Sequence, residues 1–216
     1  MARSKKSTLN YSVDLITHPA TILKSLYPSL VWEMPTQEPT LYITFDDGPT
    51  KGVTDALLDL LKAHQAKATF FCIGKNVQKN PELFQRILNE GHRVGNHTFS
   101  HLNGWKSTNM SYLKDVEKCR SLFESSYFRP PYGRLKPAQI ASLKKQYKII
   151  MWSALSMDYH PSVSKEKCYQ NSTAKISSGD ILVFHDSEKA ADKMFYAVEK
   201  ILTDETFKGY RFLPLP

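Results

Sequence analysis

The chain has 216 residues, 41% hydrophobic and 23% charged, with a formal net charge of +8. That length suits one domain with a proper core, and the composition excludes disordered, collagen-like and disulfide-framework proteins. The lysines and arginines are scattered, with no basic face interleaved with aromatic groups, which argues against a nucleic-acid partner.

Cys72, Cys119 and Cys168 form no CxxC pair or zinc-finger spacing, and Cys72 sits in an apolar run as a small hydrophobe. No secretory signal follows Met1, and no apolar run reaches roughly 18 residues, so a cytoplasmic chain without a transmembrane segment is expected. The sequence assigns no oligomeric state.

Residues 1–38, broken by Pro19, Pro28 and Pro35, are expected to be an irregular extension packing on the domain 39–216, with a short helix over Ala20–Tyr27. From there strands and helices alternate. Thr40–Phe45 is a β-rich run stopped by Asp46-Asp47-Gly48-Pro49. Leu57, Leu58 and Leu61 give Thr54–His64 a helical spacing, and Ala68–Ile73 is a continuous apolar strand. A helix starts at Pro81 and stops before Gly91, followed by a strand over His92–Asn96. Met110–Glu124 is a helix, Tyr127-Phe128 a strand and Pro137–Lys145 a helix. Tyr147–Ala154 is a strand, Cys168–Ile176 a helix, Asp180–His185 a strand, Lys193–Leu202 a helix and Tyr210–Leu215 a last strand. Strand followed by helix, about six or seven times over, predicts a parallel sheet covered by helices, open or closed into a barrel.

The chemistry-bearing residues collect at strand ends. Asp46 and Asp47 follow one strand and His97 and His101 another; Arg129 follows a third, Asp158 lies beyond a fourth and His185 ends a fifth. In parallel α/β folds those ends share one rim, where active sites lie. If residues 97–101 form a helical turn, the HxxxH spacing turns both imidazoles toward one cation. Two histidines and a carboxylate leave coordination positions open for water and substrate. The same set also fits a non-haem iron oxygenase. Neighbouring aspartates on an extended strand point opposite ways, so one is free to bind a metal and the other to face an attacking water, with His185 to protonate a leaving nitrogen.

These motifs resemble the polysaccharide deacetylases, also called the NodB-homology or carbohydrate esterase family 4 domain. The resemblance runs from about Thr40 onward, through Thr44-Phe45-Asp46-Asp47-Gly48-Pro49, Asn96-His97-Thr98-Phe99-Ser100-His101, Arg129-Pro130-Pro131-Tyr132-Gly133 and Val183-Phe184-His185. It implies a distorted (β/α) barrel of about seven strands in a single domain. It implies Asp46 as general base and Asp47, His97 and His101 as ligands of a divalent metal, usually Zn2+, with Co2+ or Mn2+ also serving. Arg129 then tethers Asp46, the Tyr132 N–H and its Pro131 neighbour shape the oxyanion site, His185 is the general acid and Asp158 orients it. The implied substrate is an N-acetylated saccharide containing N-acetylglucosamine. Two positions depart from the family pattern: Tyr159 stands where tryptophan is usual, and Val183 where leucine is usual. Both line the acetyl pocket, with Trp152 as a further wall, and both bear on substrate preference. The alternatives are a deacylase of another amide or of O-acetyl esters, and a non-catalytic carbohydrate-binding domain. Tyr42, Tyr112 and Trp105 are the aromatics open to either sugar stacking or packing.

Overall fold

The computed structural model describes residues 17–19 and 21–216. Residues 1–16 and Ala20, part of the expected extension, lie outside the described residues. The expected first helix is found as Thr21–Leu26.

The centre of the fold is β1 (Thr40–Asp47), buried at every position because helices and sheet interior cover its two faces. β2 (Thr69–Cys72) pairs on one side and β7 (Ile181–His185) on the other. Beyond β2 come β3 (Arg93–Asn96), β4 (Tyr127–Phe128) and β5 (Lys148–Ile149); beyond β7 comes β6 (Ala154–Leu155). β8 (Arg211–Phe212) pairs with the start of β1, and all these ladders are parallel. The sheet curls into a half-barrel, a single α/β domain of the expected class. Among the described residues no helix is long and apolar enough to cross a membrane.

Side-chain alternation along β1 sets up the site. Leu41, Ile43 and Phe45 point outward into the main core, where they meet Leu57, Leu58 and Leu61 of the helix Val53–Ala63. Each fully buried side chain of this kind contributes roughly 1.5–3 kcal/mol. Tyr42 points inward and joins Phe71, Tyr127, Ile150, Ile181 and Leu215 in an apolar plug. Thr44 and then Asp46 follow Tyr42 at the same period, and register places Val183 and His185 of β7 beside them. The curled sheet thus carries an apolar floor with polar groups at its carboxyl rim.

One expectation needs correction, and one helix lay outside the sequence reading. The single strand expected over Tyr147–Ala154 is two, β5 and β6. Between them the backbone is bonded elsewhere: Arg129 donates to the carbonyls of Ile150 and Met151, and the Met151 N–H donates to Val31. The helix Gly74–Lys79 was not foreseen, because its polar sequence buries only Gly74 and Val77. The described end of the N-terminal segment packs on the sheet. Val31 bridges Ile150, Trp32 O accepts from Ser153 Oγ at 2.9 Å and the Met34 N–H reaches Gly179 O at 2.8 Å, so residues 31–34 fill the seam between β5 and β7.

Candidate active site

The two aspartates at the end of β1 converge, contrary to the alternation expected of an extended strand. Asp47 has φ 89, a left-handed conformation that an ordinary strand residue avoids. Its backbone is anchored by Asn76, whose Nδ2 donates to Asp47 O at 2.7 Å. Both aspartates therefore line one cavity of about 710 Å³, together with His97, His101 and His185.

His97 and His101 also meet by a route other than the helical turn expected. Residues 97–101 form a loop in which Thr98 (φ 62) and His101 (φ 59) are left-handed. Side chains brace it: Asn96 Oδ1 accepts from the Thr98 N–H, and the Asp115 carboxylate accepts from Phe99 N, Ser100 N and Ser100 Oγ. The ring centroids lie 5.2 Å apart. Nδ1 of His97 lies 2.8 Å from Arg129 O. A carbonyl can only accept, so Nδ1 carries the proton and the Nε2 lone pair faces the aspartates.

Asp47 Oδ1 lies 3.9 Å from His97 Nε2 and 3.2 Å from His101 Nε2. These contacts are not ion pairs. Burial, more than the neighbouring charges, holds both imidazoles below the usual histidine range, so both are neutral near pH 7. Asp47 Oδ1 is buried without a hydrogen-bond partner. One donor atom from each of the three residues falls within 4.8 Å of the others. A buried carboxylate oxygen without a hydrogen-bond partner, gathered with two neutral imidazoles, suits a divalent cation.

Asp46 is fixed from below. Arg129 Nη1 donates to Asp46 Oδ1 at 2.8 Å and to Thr44 Oγ1 at 2.6 Å. The guanidinium is 1% exposed, and it lies 4.0 Å over the Phe71 ring. This bonding leaves Asp46 Oδ2 turned toward the metal-site side, 4.0 Å from His97 Nε2. On the adjacent strand His185 pairs with Asp158: Nδ1 to Oδ1 is 2.8 Å, and the His185 N–H donates to Oδ2 at 2.7 Å. Burial opposes protonation of His185, yet the Asp158 carboxylate, aided by Asp47 and Asp46, outweighs it and pushes the imidazole up to about 9.

Tyr132 sits in the turn Pro131–Gly133 with φ 61, and its ring packs 4.6 Å from His101. Such a conformation in a non-glycine residue is strained and typical of functional loops. Pro131 is buried within this turn, and its neighbour Pro130 lines the cavity. Trp152, Tyr159 and Val183 all line it; Tyr159 stands edge-on to His185 at 4.9 Å, and Val183 packs with Leu155 and Met157.

Residues 33–149 match the family described as polysaccharide deacetylase. A peptidoglycan-N-acetylglucosamine deacetylase of Bacillus cereus is 36% identical over 201 residues, covering 88% of this chain and 93% of its own. The chain belongs to the polysaccharide deacetylase family. Its members are hydrolases of carbon–nitrogen bonds and depend on a metal. The peptidoglycan-N-acetylglucosamine deacetylase PgdA of Listeria monocytogenes is 35% identical over 80% of this chain, which spans only 37% of that longer protein. A solved peptidoglycan N-acetylglucosamine deacetylase superposes with a TM-score of 0.82 at 31% identity, over 91% of this chain and 96% of the other. The iron-oxygenase alternative gains no support from these matches.

One residue of this deacetylase escaped the sequence reading. Asp186, fully buried, accepts from the Gly48 N–H at 2.8 Å and from the Thr54 hydroxyl at 2.6 Å. Burial pushes its carboxyl up to about 7 against those two bonds. It clamps the turn after Asp47, and a Cβ on Gly48 would lie 1.9 Å from Asp186 Oδ2, so glycine is required there. The signal was present: Asp186 directly follows His185 at a strand end, the position that singled out Asp46 and Asp47. His92 is buried outside the site, with Nδ1 accepting from the Ala68 N–H.

Proposed function

We propose that this deacetylase removes the acetyl group from N-acetylglucosamine residues of a peptidoglycan-type saccharide. The observation that carries the reading is the orphaned Asp47 Oδ1 between two neutral histidines, with Asp46 on one side and His185 on the next strand. Asp47, His97 and His101 would hold the divalent cation, Zn2+ in the first instance, with Co2+ or Mn2+ as substitutes. When bound, the cation polarises the amide carbonyl and acidifies water.

The chain's own residues supply the rest. Asp46, steadied by Arg129, takes the proton of the attacking water as oxygen bonds to the carbonyl carbon. The Tyr132 backbone N–H donates to the developing oxyanion, a contribution of roughly 3 kcal/mol for one preorganised donor. Protonated His185, oriented by Asp158, gives its proton to the nitrogen as the C–N bond breaks; acetate and free amine leave. Trp152, Tyr159 and Val183 enclose the acetyl methyl in apolar surface and exclude water around it.

The test is acetate release from N-acetylated glucosamine and muramic acid oligomers, with O-acetylated xylan as a control. Release from the glucosamine oligomers, lost with chelator and restored by metal, is expected; release from the O-acetyl ester alone would contradict the proposal. The general acid must be protonated, so activity should fall as pH rises through the pKa of His185, near 9 in the chain without metal. Asp158→Asn removes the carboxylate that raises that pKa, so the alkaline limb should move to lower pH. An unmoved limb would remove His185 from the acid role.

A further inference from the structure

Of the three aromatics that could stack on sugar, the fold excludes two. Tyr42 belongs to the apolar plug and Tyr112 is wholly buried. Trp105 is different: it is 59% exposed, yet it is held rigidly. Its Nε1–H donates to Leu135 O at 3.0 Å, and its backbone N–H donates to Asn103 Oδ1 at 3.0 Å. The Arg134 guanidinium lies 5.0 Å over one face of the ring. The loop beneath is pressed against residues 134–139, where Gln139 Nε2 donates to Gly104 O at 3.0 Å. A Cβ on Gly104 would lie 2.3 Å from Arg134 O, so that approach is available only to glycine.

An exposed tryptophan ordinarily gains little by being fixed. Here its polar handle is satisfied, one face is covered by a cation, and the ring borders the cavity that holds Asp46, Asp47 and His97. That cavity, about 710 Å³, lies within the range of roughly 300–1,000 Å³ that accommodates a whole ligand, far more than an acetamido group needs. A flat, preorganised aromatic face binds the C–H face of a sugar ring without an ordering cost. We infer that Trp105 is a stacking platform for a second sugar ring beside the acetylated one, so that the enzyme selects oligosaccharides over monosaccharides. This rests on the deacetylase reading and adds the residue that sets chain-length preference.

The experiment compares wild type, Trp105→Ala and Trp105→Phe on β-1,4-linked N-acetylglucosamine from monomer to tetramer. Wild-type kcat/KM should rise with length. Trp105→Ala should raise KM for the tetramer about ten-fold, with kcat within about two-fold, and flatten the length dependence. Trp105→Phe keeps an aromatic face but loses the bond to Leu135, so it should retain most of the preference. An unchanged tetramer KM in Trp105→Ala would overturn the inference, as would an equal loss on monomer and tetramer or a phenylalanine variant as impaired as alanine. Calorimetric titration of the tetramer into Asp46→Asn, with and without Trp105→Ala, separates this from the deacetylase reading. Binding weakened about ten-fold by the second substitution supports the platform even if no acetate is ever released. Binding that is absent, or unaffected by the substitution, refutes it even in an active deacetylase.

Discussion

Asp46→Asn is expected to lower kcat for acetate release by about 100- to 10,000-fold while leaving metal content unchanged, the range by which a positioned base accelerates proton transfer. The asparagine oxygen can still accept the Arg129 Nη1 bond that Asp46 Oδ1 accepts at 2.8 Å, so the local geometry survives. What disappears is the capacity of the second oxygen to take a proton. Metal analysis alongside the rate distinguishes a lost base from a lost ligand. If Asp46→Asn loses its metal as well, Asp46 is a ligand and the assignment of the two aspartates must be exchanged; if kcat falls less than about ten-fold, Asp46 is not the base.

Arg129→Ala should be the most destabilising single change near the site. The side chain is buried and bonds Thr44, Asp46 and the carbonyls of Ile150 and Met151, while its guanidinium covers Phe71. Truncation leaves Asp46 without its counter-charge, strands two carbonyls in the gap between β5 and β6, and opens a cavity. Breaking a buried ion pair from one side costs roughly 3–5 kcal/mol. In a domain of this size that lowers Tm by roughly 6–20 °C. Lysine at this position can satisfy one or two of these acceptors and should fall between. A melting temperature within about 2 °C of wild type in Arg129→Ala would mean that the polar layer under Asp46 does not hold the rim together.

The parts of this molecule that follow from side-chain period were legible in the sequence. The β-rich run before Asp46 and Asp47 and the apolar run ending at His185 put these residues at strand ends on one rim, and the register pairs Asp46 with His185. The parts that depend on single unusual backbone angles were not. Asp47, Thr98, His101 and Tyr132 all take positive φ without being glycine, and the mild preference of Asp and His for that region does not mark which residues will adopt it. That is why the HxxxH spacing suggested a helical turn where a braced loop performs the same convergence. The break between β5 and β6 was hidden for a related reason: residues 147–154 favour a strand, but a buried arginine and an N-terminal segment far away in sequence take their hydrogen bonds. Long-range competition of this kind leaves no local trace. Asp186 was readable from its place after His185, but its partners Gly48 and Thr54 lie more than 130 residues away and only the fold brings them to it.

The most direct measurement is the stoichiometry of divalent metal in the chelator-stripped protein after reloading and desalting, in wild type and in His97→Ala. The account predicts one equivalent in wild type and a loss of most of it in the variant, because His97 supplies one of three protein donors. A His97→Ala protein that is folded and still carries one equivalent would contradict it, and so would a wild type that carries none.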